Sequence, residues 1–384
     1  MKYRQLGHTG LRVSEIGLGG EWLERHSTEE VKAVIDRCDD HGINILDCWM
    51  SNPKVRMDIG AAIEGRRGRW IVQGHIGSTW KNGQYDRSRD VTVARKAFDD
   101  LLKYLRTDYI DLGMIHFCDE VKDFEQIMNG KFIELVHELK RNGIIRYVGF
   151  SSHNPIVAKM AAESGEIDML LFSINPAFDI MPAMEDFVNV LADNKAVKEM
   201  KLSMGIAPER QALYRTCEAL GIGITVMKGY AGSRLFAPET SPFGIALTPV
   251  QCLHYALTHP AVASVMVGYD TPEHVDAAVA YETATMDEKD YATVLANAPQ
   301  NAYKGQCTYC GHCAPCPEKI DIAMVNKLYD LATMQKDMPS TIRAHYQGLT
   351  ANASDCIACG ACEKRCPFGV IVTDRMKKAA NLFR

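Results

Sequence analysis

Eight of the thirteen cysteines fall in two short runs late in the chain, and these runs constrain it more than any other feature. The first reads Cys307-Thr-Tyr-Cys310-Gly-His-Cys313-Ala-Pro-Cys316-Pro317. The second reads Cys356-Ile-Ala-Cys359-Gly-Ala-Cys362-Glu-Lys-Arg-Cys366-Pro367. Two quartets of soft thiolates, each closed by Cys-Pro, form the ligand pattern of two [4Fe–4S] clusters. Four thiolates also suit a structural zinc ion, and cysteines can pair as disulfides. Zinc does not call for a Cys-Pro ending and nothing marks the chain as secreted, so iron–sulfur ligation is the expectation.

The second run has the spacing of bacterial two-cluster ferredoxins, and the first is a mild variant of it. That resemblance implies that each run lends its fourth cysteine to the other cluster. One cluster would then sit on Cys307, Cys310, Cys313 and Cys366, the other on Cys356, Cys359, Cys362 and Cys316. The scattered Cys38, Cys48, Cys118, Cys217 and Cys252 read as small buried residues.

A net charge of −5 gives no basic footprint for nucleic acid and no polybasic anchor for a membrane. The first residues lack the apolar core of a signal peptide, and no apolar run is long enough to span a bilayer. The expected setting is the cytoplasm, and exposed low-potential clusters favour anaerobic conditions. Oligomeric state cannot be read from these residues.

Ahead of the cysteines, apolar runs alternate with helical patterns. Residues 2–10, then 11–20, read as a short hairpin running into a buried strand. Thr28 is placed to cap a helix striped by Val31, Val34, Ile35 and Cys38. Short strands follow at 43–47, 69–76, 109–115, 145–150, 169–174, 222–227 and 263–267. Helices are expected between them, including Val91–Leu105 and one running from Phe124 to Arg141. Residues 176–206 interrupt the rhythm and read as an insertion. Eight strand–helix units predict an α/β fold, a closed (β/α)8 barrel over residues 1–284. A small helical, ferredoxin-like iron–sulfur domain is expected over 285–384. A doubly wound open sheet is disfavoured, because no Gly-x-Gly-x-x-Gly turn follows the first strand.

Barrel chemistry gathers at the C-terminal ends of the strands. Those ends carry Asp47, His75, His116, Ser151, Ser152, Asn175 and Lys228. The chain resembles the aldo/keto reductase family, in particular a bacterial subgroup with a C-terminal iron–sulfur domain. The resemblance rests on Tyr3-Arg-Gln-Leu-Gly-His-Thr-Gly-Leu-Arg-Val-Ser, Gly42-Ile-Asn-Ile-Leu-Asp47, Thr107-Asp-Tyr-Ile-Asp-Leu with Ile115-His116, Gly143-Ile-Ile-Arg-Tyr-Val-Gly-Phe-Ser151 and the cysteine runs. It implies reduction of a carbonyl by a nicotinamide cofactor through an Asp–Tyr–Lys–His tetrad. The Asp matches Asp47 and the His matches His116. The Tyr position falls on Asn52 and the Lys position on His75, so the proton donor and its activator are both replaced.

The resemblance places Ser151, Ser152, Asn175 and Lys228 at the cofactor. Asp270 and Glu273 stand where basic residues would hold a 2′-phosphate, so NADPH is disfavoured while NADH stays open. No flavin motif is visible. His75 beside Asp47 is expected to act as the proton donor in place of the missing Tyr. Tyr85, Tyr230 and Tyr269 are alternative donors if the barrel top folds them inward. The expected function is an oxidoreductase acting on a small organic substrate. Its electrons would be relayed by two clusters from a redox partner such as a ferredoxin or flavoprotein. The competing readings are a non-redox lyase or isomerase using Asp47, His75 and His116, and a catalytically retired barrel serving as an electron-transfer subunit.

Overall fold

Alternation of apolar runs with amphipathic stripes closes the sheet on itself. A computed structural model describes residues 1–187, 200, 202–298, 302–333 and 337–384. Eight parallel strands form the barrel: β1 (Ile16–Gly19), β2 (Ile45–Cys48), β3 (Ile71–Ile76), β4 (Ile110–Ile115), β5 (Ile145–Ser152), β6 (Met169–Ser173), β7 (Gly223–Met227) and β8 (Val262–Gly268). They pair in chain order, and β8 closes onto β1 with Val265 opposite Ile16. The outer helices are α1 (Thr28–Asp40), α2 (Pro53–Ala62), α3 (Val91–Leu105), α4 (Lys131–Arg141), α5 (Pro155–Glu163), α6 (Pro208–Leu220), α7 (Pro249–Leu257) and α8 (Pro272–Val279).

The barrel interior is a packed core, not a pore. Ile45, Leu112, Met114, Met169, Leu171 and Met266 fill it, and Leu6 and Val13 from the N-terminal hairpin join the same cluster. Side chains alternate along a strand. The parity that puts Ile45 and Met114 inside also turns Asp47, Gln73, His75 and His116 toward the upper interior. Gly74 faces outward, where Leu101 of α3 leaves room for no side chain.

Three local expectations change. Ser27, not Thr28, caps α1: its side chain accepts from Glu30 N–H while Glu30 reaches back to the Ser27 N–H. Thr28 Oγ1 donates instead to Asp58 Oδ1 at 2.8 Å. The stretch from Phe124 to Arg141 forms two helices, Val121–Met128 and α4, separated around Gly130. A hairpin absent from the expected elements, Ser78–Lys81 with Gln84–Arg87, rises from the end of β3. Much of the 176–206 segment lies outside the described residues. Of it, Pro176–Asp179 forms a short helix.

Beyond α8 the chain is helical, with Tyr291–Ala296, Ile322–Thr333, Ser340–Gln347, Ala361–Arg365 and Val372–Leu382. Among the described residues no helix is long and apolar enough to cross a membrane.

Candidate active site and cluster-binding residues

At the top of the barrel a line of hydrogen bonds runs outward from a carboxylate. Register sets Asp47 of β2 opposite Gln73 of β3, and Gln73 Nε2 donates to Asp47 Oδ1 at 2.8 Å. The same oxygen lies 2.9 Å from His75 Nε2. His75 Nδ1 lies 2.8 Å from His116 Nδ1, with the two rings edge to face. His116 Nε2 lies 2.8 Å from the Tyr85 hydroxyl. Trp49 stacks flat on His116, its ring centroid 6.0 Å away. Asp47, His75 and His116 are 5, 2 and 4 % exposed, whereas Tyr85 is 40 % exposed.

The sequence thus brings together Asp47, His75 and His116 as expected, but with both nitrogens of His75 engaged. Asn52, at the family's Tyr position, caps α2 by accepting from Lys54 N–H. The other two alternative donors stay away from this line. Tyr269 is fully buried with its hydroxyl near Gly17 O, and the buried Tyr230 hydroxyl has no hydrogen-bond partner among the described residues. Tyr85 arrives on the unexpected hairpin. Its signal was Asn82-Gly83, a two-residue turn in which both residues take positive φ, 54° and 77°.

Electrostatics follow from burial. Burial first, then the neighbouring His75 and the nearby arginines Arg89, Arg87 and Arg56, hold the His116 pKa well below the ordinary imidazole range. Burial raises the Tyr85 pKa despite Arg87 and Arg89. Near neutral pH the outer pair is therefore a neutral phenol beside a neutral imidazole.

The residues expected to hold a nicotinamide fit it poorly. Ser151 shares inward parity with Gly149 and Tyr147, so the adjacent Ser152 faces away. Ser152 Oγ donates to Asp119 Oδ1 at 2.9 Å. Asn175 spends its amide on structure: Nδ2 donates to Lys228 O and Oδ1 accepts from Phe178 N–H. Lys228 lies exposed on a left-handed backbone, φ 55°. The end of β8 is covered by Trp22, so closely that a Cβ on Gly268 would meet its indole at 2.1 Å. His26 Nε2 lies 3.1 Å from Asp270 Oδ1 and closes the same edge.

The cysteines fit their cluster. A cavity is lined by Cys316, Cys356, Cys359 and Cys362, with Ile320, Ile322, Ile357 and Met376 around them. That set contains the fourth cysteine of the first run and the first three of the second, the exchange implied by the ferredoxin resemblance. Arg365 ties the runs together, donating from Nη2 to Cys313 O at 2.6 Å and Pro315 O at 2.7 Å. Cys313 is within electrostatic reach of Cys310, Cys362 and Cys366. Backbone N–H groups of Ala358 and Val370 point to Cys356 Sγ and Cys366 Sγ, each at 3.4 Å. Four cysteines around one cavity suit a multi-iron cluster.

Fold and site together define a (β/α)8 barrel with an appended cysteine-rich region. Residues 15–195 match the model of the aldo/keto reductase family, and residues 349–372 match that of the 4Fe-4S binding domain. It is 28 % identical over 316 residues to the uncharacterized oxidoreductase YqkF of Bacillus subtilis, covering 79 % of this chain and 99 % of that one. It is 30 % identical over 165 residues to the aldo-keto reductase YhdN of the same organism, covering 40 % of this chain and 47 % of that one. Its fold is similar to that of the aldo-keto reductase AKR11C1 from Bacillus halodurans, with a TM-score of 0.57 and 24 % identity. That likeness covers 75 % of this chain and 94 % of the other.

Proposed function

We propose that the chain is an oxidoreductase of the aldo/keto reductase type that converts a small organic substrate at the barrel mouth. Electrons are exchanged with a protein redox partner, a ferredoxin or flavoprotein, in the cytoplasm of a cell with little oxygen. The observation that carries this reading is the hydrogen-bonded line from Asp47 through His75 to His116, on a chain that also holds an iron–sulfur domain. Cys307, Cys310, Cys313 and Cys366 would hold one [4Fe–4S] cluster, and Cys316, Cys356, Cys359 and Cys362 the second. Bound there, the clusters supply one-electron transfer.

The chain's own residues manage the proton. Asp47 accepts from His75 and fixes its orientation, as Gln73 fixes Asp47. His75 in turn orients His116. Burial of all three excludes water, and in such surroundings hydrogen bonds are strong. His75 lies inside the line, so it passes a proton instead of presenting one to the substrate. The commitment of Ser152 and Asn175 and the Trp22 cover on β8 weigh against a nicotinamide as the electron source.

Anaerobic purification with iron and acid-labile sulfide analysis tests the cluster part. The expected content is about eight irons and about eight sulfides per chain. Zinc in place of iron, or about half that content in fully loaded protein, contradicts it.

A further inference from the structure

With His75 neutral, the line of hydrogen bonds has a single polarity. The carboxylate of Asp47 only accepts, so His75 donates from Nε2. A neutral His75 then offers a bare Nδ1, which accepts from His116 Nδ1–H. That leaves His116 Nε2 bare, and it accepts from the Tyr85 hydroxyl. Every donor points toward Asp47, and the member that reaches solvent is Tyr85. The hairpin fixes its position. Tyr85 pairs with Trp80 across the turn, and its ring meets Trp49 edge-on at 5.3 Å and His116 edge-on at 5.8 Å. Asn52, at the position that the family resemblance gives to a Tyr, is committed to a helix cap.

We propose that Tyr85 is the catalytic proton-transfer residue of this site, delivered by the hairpin between β3 and α3, and that His116, His75 and Asp47 form its proton relay. The proposal rests on the barrel mouth being the reaction site. The step moves one proton and no electrons. A substrate O–H bond breaks and its proton bonds to Tyr85 Oη, while the former Tyr85 proton passes to His116 Nε2. The His116 Nδ1 proton passes to His75 Nδ1, and the His75 Nε2 proton to Asp47 Oδ1. The phenol and both imidazoles end neutral with exchanged tautomers. Only the ends change: the substrate oxygen is left negative and Asp47 is left as a neutral acid. Run backward from Asp47 as the neutral acid, the same line delivers that proton to a carbonyl oxygen as the substrate gains electrons supplied by the redox partner. Passing the proton through neutral rings avoids a buried imidazolium, the form that the surroundings of His116 disfavour.

The test uses full-length protein with its iron–sulfur content verified, reduced with dithionite, freed of excess reductant and offered 4-nitrobenzaldehyde and an aromatic diketone as probes. Tyr85→Phe is expected to lower the rate of carbonyl reduction about a hundredfold or more, with iron content unchanged. Wild-type rates in Tyr85→Phe would overturn the assignment of Tyr85 while leaving the oxidoreductase reading intact. If wild-type protein reduces neither probe, nitrogen NMR of ¹⁵N-histidine-labelled protein decides separately. The relay requires His116 protonated at Nδ1 and bare at Nε2, with the Nε2 signal moving in Tyr85→Phe. A proton on Nε2, or no response to the substitution, overturns it.

Discussion

At the residue scale, the mouth sets Tyr85, from the hairpin after β3, at the outer end of the line that starts at Asp47. Asp47 and His116 were legible because each ends a strand in recognisable local sequence. The Asp47–His75 contact was legible because inward parity on neighbouring strands follows from period two. The engagement of both His75 nitrogens was not, since it depends on ring positions that no spacing encodes. Nor was the commitment of Ser152 and Asn175, whose partners Asp119 and Lys228 lie on other loops. The lowered His116 pKa gives a direct expectation. His116 remains neutral through the ordinary imidazole range, so its ring signals stay unchanged from pH 8 down past about 6.5. In the unfolded chain the same ring takes up a proton there, so the unfolded state binds more protons and stability falls as the pH drops below that value. A titration of His116 centred near 6.5 in a pH series of NMR spectra would contradict this.

At the element scale, periodicity located the strands, and capping chemistry decided the ends. Val91–Leu105 was read with its bounds because a strong apolar stripe coincides with a helix start at Asp90 and a left-handed stop at Arg106. The start of α1 was misplaced by one residue. Ser27 and Thr28 are both good caps, but only Ser27 stands three residues before Glu30 and completes the reciprocal pair. Ser27→Ala is expected to cost about 1 kcal/mol, read as a lower midpoint in thermal unfolding. Thr28→Ala keeps the cap and loses only the contact with Asp58, so a larger effect from Thr28 than from Ser27 would contradict the assignment. The hairpin carrying Tyr85 was missed because its strands are short, exposed and polar. They lack the apolar alternation that marked the barrel strands, and Asn82-Gly83 was their one strong signal.

At the scale of the whole molecule, the iron–sulfur region is joined to the barrel through buried polar contacts. Asp179, fully buried after β6, accepts from Tyr214 and Tyr255 of α6 and α7 at 2.5 and 2.7 Å. Burial opposes its ionisation, but His259, Arg210 and Tyr214 outweigh burial and hold its pKa below the usual carboxylate value. Tyr303 extends this cluster toward the cysteines: its hydroxyl lies 3.0 Å from that of Tyr255, and its ring packs on Phe368, just past Cys366-Pro367. Tyr291 packs on Tyr255 and donates to Thr308 O beside Cys307. The barrel and the cysteine runs were legible from pattern, but this junction was not. It rests on side-chain hydrogen bonds between residues far apart in the chain, such as Tyr303 Oη donating to Pro176 O at 2.7 Å, which leave no periodic trace. In the proposed function a protein partner, and not a nicotinamide, exchanges electrons with this molecule through its iron–sulfur region. Anaerobic protein with full iron and sulfide content, followed by its visible absorbance, tests that claim most directly. The expected result is bleaching by dithionite or a reduced ferredoxin and none by NADH or NADPH. Bleaching by either nucleotide would contradict it.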